Sequence, residues 1–331
     1  MGAQKHHAPL EPRVCHPRHC DQDLPGQVHA SNMAPNPLTH KTPHRKITLT
    51  PCRCNVISFA AKAFYLPPML KAVAALVLIA APALATTQED VLSGQLRPGW
   101  QMENGGYMAA VDLQLAPGWK TYWRSPGDAG IPPTFDWSGS ENVKSVRLRW
   151  PAPQVFETNG MQSIGYHDSL VLPVEVTPED PSLPVKLSVE MSLGICDKIC
   201  LPAMLNLTSD LTAPGAPDPG ISAALKAQAA PAGEAGVSNV ACQVDPIADG
   251  LRITARVRLP DPGKPEVVAF ETSDREIWVA EAVTQREGGD LVSMTELVAP
   301  GGAPFALDRS DITLTILAAG GAIEVKGCPA P

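Results

Sequence analysis

Between residues 185 and 193 every second position is apolar: Val185, Leu187, Val189, Met191 and Leu193 alternate with Lys186, Ser188, Glu190 and Ser192. A period of two places one face of an extended chain on a core and the other in water, and no helix satisfies it. The same alternation recurs at 146–150, 251–259 and 312–316. Further strands are expected near 109–115, 119–124, 170–176, 203–208, 266–271, 276–284, 290–297 and 321–327. Gly/Pro turns such as Pro117-Gly118, Pro126-Gly127 and Pro300-Gly301-Gly302 punctuate them. Many short strands with such punctuation predict an all-β chain built as antiparallel sandwiches.

One stretch breaks this rhythm. Residues 213–237 are rich in Ala, Pro and Gly, and within them Asp218 is suited to cap a helix that starts at Pro219 and runs to about Ala230, before Pro231. The expected organisation is two β-domains, 86–212 and 238–331, with 213–237 as a linker; one continuous assembly is the alternative.

The start of the chain has a different character. Met69-Leu70-Lys71, the apolar run from Ala72 to Ala81 and Pro82-Ala83-Leu84-Ala85 read as a secretory signal, with cleavage expected near Ala85/Thr86. That run falls short of the roughly 20 apolar residues a membrane-spanning helix needs. A periplasmic product without a membrane span is therefore expected. Residues 1–68 hold seven of the eight histidines and four of the eight cysteines without helical or strand periodicity. A metal-binding tract is one reading of such a segment. The preferred reading is an over-called upstream extension, with translation starting at Met69.

Residues 86–331 carry 17 Lys/Arg against 31 Asp/Glu, a formal charge of −14. That balance argues against nucleic acid or an anionic membrane surface as a partner. One histidine, His167, remains in this portion, which argues against a hydrolase triad. Nothing in the sequence calls for a cofactor. Four cysteines remain, Cys196, Cys200, Cys242 and Cys328, and an even count in an exported chain points to disulfide chemistry.

The two spacings predict different roles. Cys196 and Cys200 lie in Gly194-Ile195-Cys196-Asp197-Lys198-Ile199-Cys200-Leu201-Pro202, a turn between two strands, where three intervening residues allow a bond. So small a loop restrains the unfolded chain little, so the bond is better placed for exchange than for stapling. Lys198 favours a thiolate there and Asp197 opposes it. An inert disulfide is one alternative. Another is a Cu(I) site recruiting Met191, Met204 or His167 beside the thiolates. Cys242 and Cys328 would close a loop of about 85 residues, which predicts a structural bond.

Three segments occur in order: Gly118-Trp119-Lys120-Thr121-Tyr122-Trp123-Arg124, then Gly165-Tyr166-His167-Asp168-Ser169-Leu170-Val171-Leu172-Pro173-Val174, then the Cys196…Cys200-Leu201-Pro202 turn. Together they resemble the N-terminal periplasmic domain of the DsbD/ScsB family of thiol:disulfide interchange proteins, over about residues 90–212. The resemblance implies an immunoglobulin-like fold. It implies a relay that takes electrons from a thioredoxin-like domain or a membrane electron carrier and gives them to periplasmic disulfide proteins. By that analogy Cys200 forms the mixed disulfide and Cys196 resolves it. The family's pair is more widely spaced, and its aromatic cap over the sulfurs has no clear counterpart here. Phe156, in Phe156-Glu157-Thr158-Asn159-Gly160, and Tyr166 are the candidates for shielding the sulfurs. The family's multi-span membrane domain and thioredoxin domain are not among these residues, so separate partners are expected.

The aromatics Trp119, Tyr122, Trp123, Trp137 and Trp150 are read as core or strand-face residues rather than a binding cleft. Besides exchange, two other functions stay open: copper handling by the same cysteines, and a structural adaptor.

Overall fold

The computed structural model describes residues 87–331 apart from Asn159, so the expected signal at 69–85 and the histidine-rich stretch lie outside the described residues. Two pairs of antiparallel sheets follow one another along the chain. In the first pair, one sheet has the order β1 (Leu92–Gln101), β2 (Tyr107–Leu115), β8 (Ser169–Pro178), β5 (Val143–Leu148). The facing sheet has the order β10 (Cys200–Leu211), β9 (Val185–Cys196), β3 (Lys120–Tyr122), β7 (Met161–His167), β6 (Gln154–Thr158), and β4 (Thr134–Asp136) also pairs with β9. The alternating apolar residues of β9 point between these sheets, where Leu187, Val189, Met191 and Leu193 meet Val111, Leu113, Leu172 and Val174.

The second pair consists of β11 (Ala230–Pro231), β19 (Gly321–Lys326), β18 (Thr313–Ala318), β14 (Val267–Glu271) against β12 (Asn239–Pro246), β13 (Leu251–Arg258), β17 (Asp290–Val298), β15 (Trp278–Val279). β16 (Val283–Glu287) also pairs with β17, and β11 runs parallel to β19. The strand expected over 276–284 is therefore divided between β15 and β16, which pair with opposite ends of β17. Ile253, Ala255, Val257, Leu314, Ile316 and Val325 build the core of this second sandwich.

β2 is buried on both faces. Tyr107, Ala109, Val111, Leu113 and Leu115 join the first core, while Met108 and Ala110 on the outer face lie against Ile221 of the helix Pro219–Lys226. Pro219 begins this helix and Asp218 caps it, its side chain accepting from the Ile221 N–H at 2.8 Å. The helix ends at Lys226 rather than near Ala230, because Ala230 and Pro231 are taken up by the bridge to β19. The segment 213–237 thus covers the outer face of one sheet and then enters another.

The two sandwiches are in contact. Arg124, just after β3, grips Glu271 of β14 with two hydrogen bonds of 2.7 and 2.9 Å and reaches Glu324 of β19 at 3.6 Å. Apolar Ala269, Leu317 and Ala322 of the second sandwich continue the first core. Among the described residues no helix is long and apolar enough to cross a membrane.

Candidate functional site

β9 and β10 pair without a break from Val185↔Leu211 to Cys196↔Cys200, so the two cysteines are the last paired residues before the tip Asp197-Lys198-Ile199. Register alone brings their Cα atoms to 4.1 Å, and the sulfurs are bonded. The two ends of this bond differ in their surroundings. Cys196 is 1% exposed, whereas Cys200 lies on the edge strand, exposed together with the three tip residues. An incoming sulfur therefore has access to Cys200, and Cys196 is the half of the bond held inside.

What packs on Cys196 follows from strand order. β3 lies on the other side of β9 and pairs Lys120 with Cys196 and Thr121 with Ile195. The Thr121 hydroxyl donates to the Gly194 carbonyl at 3.0 Å, tying the two strands. Tyr122 then shares a face with Lys120 and Cys196. Its hydroxyl donates to Cys196 Sγ at 2.9 Å and stands 3.6 Å from Cys200 Sγ. The ring sits over Gly194, where a Cβ would lie 2.9 Å from Ile131 Cβ and 3.2 Å from the Tyr122 ring. Burial pushes the Tyr122 phenol above the ordinary tyrosine range, so it stays protonated and remains a donor.

Beside the disulfide opens a groove of about 650 Å³, lined among others by Lys120, Phe156, His167, Cys196, Asp197 and Lys198. β6 and β7 form its outer wall. Phe156 stands edge-on to His167, with ring centres 4.6 Å apart, and the Lys120 ammonium lies 5.1 Å from the Phe156 ring centre. His167 Nδ1 is 3.3 Å from the Trp119 carbonyl, an acceptor only, which makes Nδ1 the protonated nitrogen. Lys198 and Asp197 are both exposed at the hairpin tip.

Of the two aromatics expected over the sulfurs, Phe156 is in the groove and Tyr166 is not. Tyr166 pairs with Thr121, one residue out of phase with Cys196, so it faces the core. There its hydroxyl donates to the Pro151 carbonyl at 2.8 Å and its ring stacks on Trp150 at 6.3 Å. The aromatic that does touch sulfur is Tyr122, and no local pattern separates it from its core neighbours Trp119 and Trp123. The residues considered for a copper site also divide. Met191 points into the core, on the opposite face of β9 from Cys196, whereas Met204 is exposed on the Cys200 face of β10 and His167 lines the groove. Trp137 and Trp150 are partly exposed and, with Phe135, line a separate groove of about 600 Å³.

Cys242 and Cys328 are bonded across a sequence separation of 86, at 0% and 1% exposure. Arg309 Nη1 donates to both their carbonyls, at 2.6 Å to Cys242 and 3.4 Å to Cys328.

The family model described as thiol:disulfide interchange protein DsbD, N-terminal, matches residues 91–212. Among solved structures the chain is similar to the N-terminal periplasmic domain of ScsB from Proteus mirabilis, at 20% identity and a TM-score of 0.55, over 74% of this chain and 96% of that one. Comparison with curated proteins gave no match. The all-β, immunoglobulin-like architecture expected from the sequence is the one observed, and the similarity to ScsB supports it at the level of fold. Residues 91–212, which hold both Cys196 and Cys200, thus match the family of the N-terminal domain of the thiol:disulfide interchange protein DsbD.

Proposed function

We propose that this protein is a thiol–disulfide interchange module working in the periplasm, with Cys196 and Cys200 as its redox centre and Cys242–Cys328 as a structural bond. The observation that carries the reading is the asymmetry of one disulfide: Cys200 exposed on an edge strand, Cys196 1% exposed beneath a tyrosine hydroxyl. Exchange requires a nucleophilic thiolate to reach one sulfur in line with the bond while the other leaves. Cys200 is the sulfur that forms the mixed disulfide, and Cys196 is the leaving and resolving sulfur. Phe156 and the β6–β7 hairpin screen the groove side of the pair.

Loop length separates the two bonds energetically. In the chain-entropy model the bond between residues four apart stabilises the fold by about 2 kcal/mol, and the one between residues 86 apart by about 4–5 kcal/mol. Opening the first costs the fold little. The relay supplies electrons from a thioredoxin-like dithiol or a membrane carrier and passes them to periplasmic disulfide proteins. The second sandwich, held by Arg124 to Glu271, orients the first or docks a partner. Residues 86–212 and 238–331 act as two domains of one assembly.

The test is differential reduction with thiol trapping and mass mapping. Dithiol titration should open Cys196–Cys200 well before Cys242–Cys328. A Cys196–Cys200 bond that stays closed under conditions that reduce small disulfides would remove the proposal. A copper-handling role for the same pair is examined by anaerobic Cu(I) titration of the reduced protein: stoichiometric, tight binding would favour it, and its absence would leave exchange.

A further inference from the structure

We propose that Lys120 is a positioning residue that makes Cys196 the leaving sulfur, by carrying an otherwise unpaired cation on the strand position opposite Cys196, in the groove that both residues line. The inference rests on the thiol–disulfide reading above and adds to it a determinant of which sulfur carries charge.

β3 is the strand between β7 and β9, and Lys120 is opposite Cys196 on one side and His167 on the other. These three side chains form a row across three strands, on the face turned away from the core, and directly opposed residues of antiparallel strands have Cβ atoms about 5 Å apart. The ammonium is held by neutral groups of β6 and β7, across β3 from Cys196. It donates to Ser163 Oγ at 3.2 Å and Thr158 Oγ1 at 3.5 Å, and lies over the Phe156 ring. Among the described residues no carboxylate is within ion-pair distance of it, although other lysines and arginines of this acidic chain take such partners. A cation partly removed from water with no counter-ion is costly, and burial accordingly pushes the Lys120 ammonium below the ordinary lysine range. The cost is reduced if an anion is generated in the same groove during turnover.

The other charged and titratable groups around Cys196 do not supply that anion or replace the cation. Glu157 on β6 and Asp197 and Lys198 at the hairpin tip are exposed, where water and salt screen them. His167 lies on β7, two strands from Cys196 with Lys120 between them, and Tyr122 on β3 donates a hydrogen bond but no charge. Cys200 is the remaining titratable group, and in the mixed disulfide it is covalently blocked.

The step balances as follows. A thiolate of the incoming dithiol bonds to Cys200 Sγ, the Cys196–Cys200 bond breaks, and its electron pair leaves on Cys196 as thiolate. The second thiol of the donor loses its proton to solvent and displaces Cys200, closing the donor's disulfide, and Cys200 takes up a proton. Two electrons move from donor dithiol to protein. Lys120 acts only on the charge that develops at Cys196, and Tyr122 donates to the same sulfur.

The experiment compares wild type with Lys120→Met, which keeps the aliphatic stem, and Lys120→Arg, which keeps the charge. Fraction reduced is measured in glutathione redox buffers, and thiolate absorbance is followed against pH in a Cys200→Ser background, where Cys196 is the one free thiol. Lys120→Met should shift the equilibrium toward the disulfide by about tenfold and move the Cys196 ionisation midpoint to higher pH, and Lys120→Arg should restore both. An equilibrium within twofold of wild type with an unmoved pH profile would overturn the proposal while leaving exchange intact. Should Lys120→Met not fold, the single-thiol proteins with Lys120 in place decide: Cys196 must ionise at lower pH than Cys200, and the reverse order overturns it. A wild-type disulfide that no redox buffer opens takes down both this inference and the exchange reading.

Discussion

Tyr122 does two jobs that depend on different atoms. Its ring fills the space left by Gly194, and its hydroxyl donates to Cys196 Sγ at 2.9 Å. A disulfide sulfur accepts hydrogen bonds weakly, but a thiolate accepts strongly, so in the proposed exchange this bond gains strength as Cys196 leaves. Tyr122→Phe keeps the ring and removes the donor. It should leave thermal stability nearly unchanged and slow reduction by a small dithiol by about tenfold, since a hydrogen bond to a charged group is worth about 1.5–3 kcal/mol. Rapid-quench trapping of free thiols measures this. If Lys120 acts on the sulfur that Tyr122 touches, as proposed, the double variant should lose less than the product of the two single effects. The sequence showed the cysteines and their loop but not this contact. Residues 118–124 read as one aromatic run, and whether Tyr122 or Tyr166 meets the sulfur is decided by how β3 registers against β9 and β7, which no local pattern encodes.

At the scale of elements, the helix Pro219–Lys226 is fixed by a chain of charges. Asp218 caps it, Arg97 of β1 bonds Asp218 and also the buried Asp112 of β2, and Gln95 and Gln114 add donors to Asp112. Burial alone would raise the Asp112 carboxyl, but the hydrogen bonds from Gln95, Arg97 and Gln114 outweigh it and hold it below the ordinary carboxylate range. The Ile221 N–H does the same for Asp218. A carboxyl whose folded-state pKa is depressed stabilises the fold above its unfolded value, near 3.9, and that stabilisation is lost as pH falls through the folded value. The urea midpoint of the wild type should therefore drop on acidification below about pH 5, and Asp218→Ala should show a shallower drop and a loss of about 1 kcal/mol at neutral pH. A midpoint with the same pH slope in both proteins would contradict this. The cap was legible because Asp-Pro before an apolar turn is a local signal. The end of the helix was not, since it is set by the distant β19 drawing Ala230 into a bridge. β1 and the β6–β7 hairpin were missed for a related reason. β1 alternates poorly through Gly94, Pro98 and Gly99, and a Cβ at Gly165 of β7 would run into the Thr121 carbonyl, so close backbone approach replaces side-chain patterning there.

Across the whole molecule, the proposed function gives stability and exchange to different disulfides. Cys242–Cys328 ties β12 to the segment just after β19, and both sulfurs are buried in the core of the second sandwich. Replacing both by Ser should cost about 4–5 kcal/mol, read as a lower urea midpoint, while Cys196–Cys200 exchanges with dithiol at the wild-type rate. Arg124 links the sandwiches through Glu271 and Glu324, so Arg124→Ala should loosen protection from hydrogen exchange along β14 and β19 without altering the reactivity of Cys200. The central claim concerns one sulfur. Brief exposure of the oxidised protein to reduced glutathione, followed by acid quench and peptide mapping, should find the glutathione adduct on Cys200 and free thiol on Cys196. An adduct on Cys196, or none on either residue while small disulfides exchange freely, would contradict the reading of this pair.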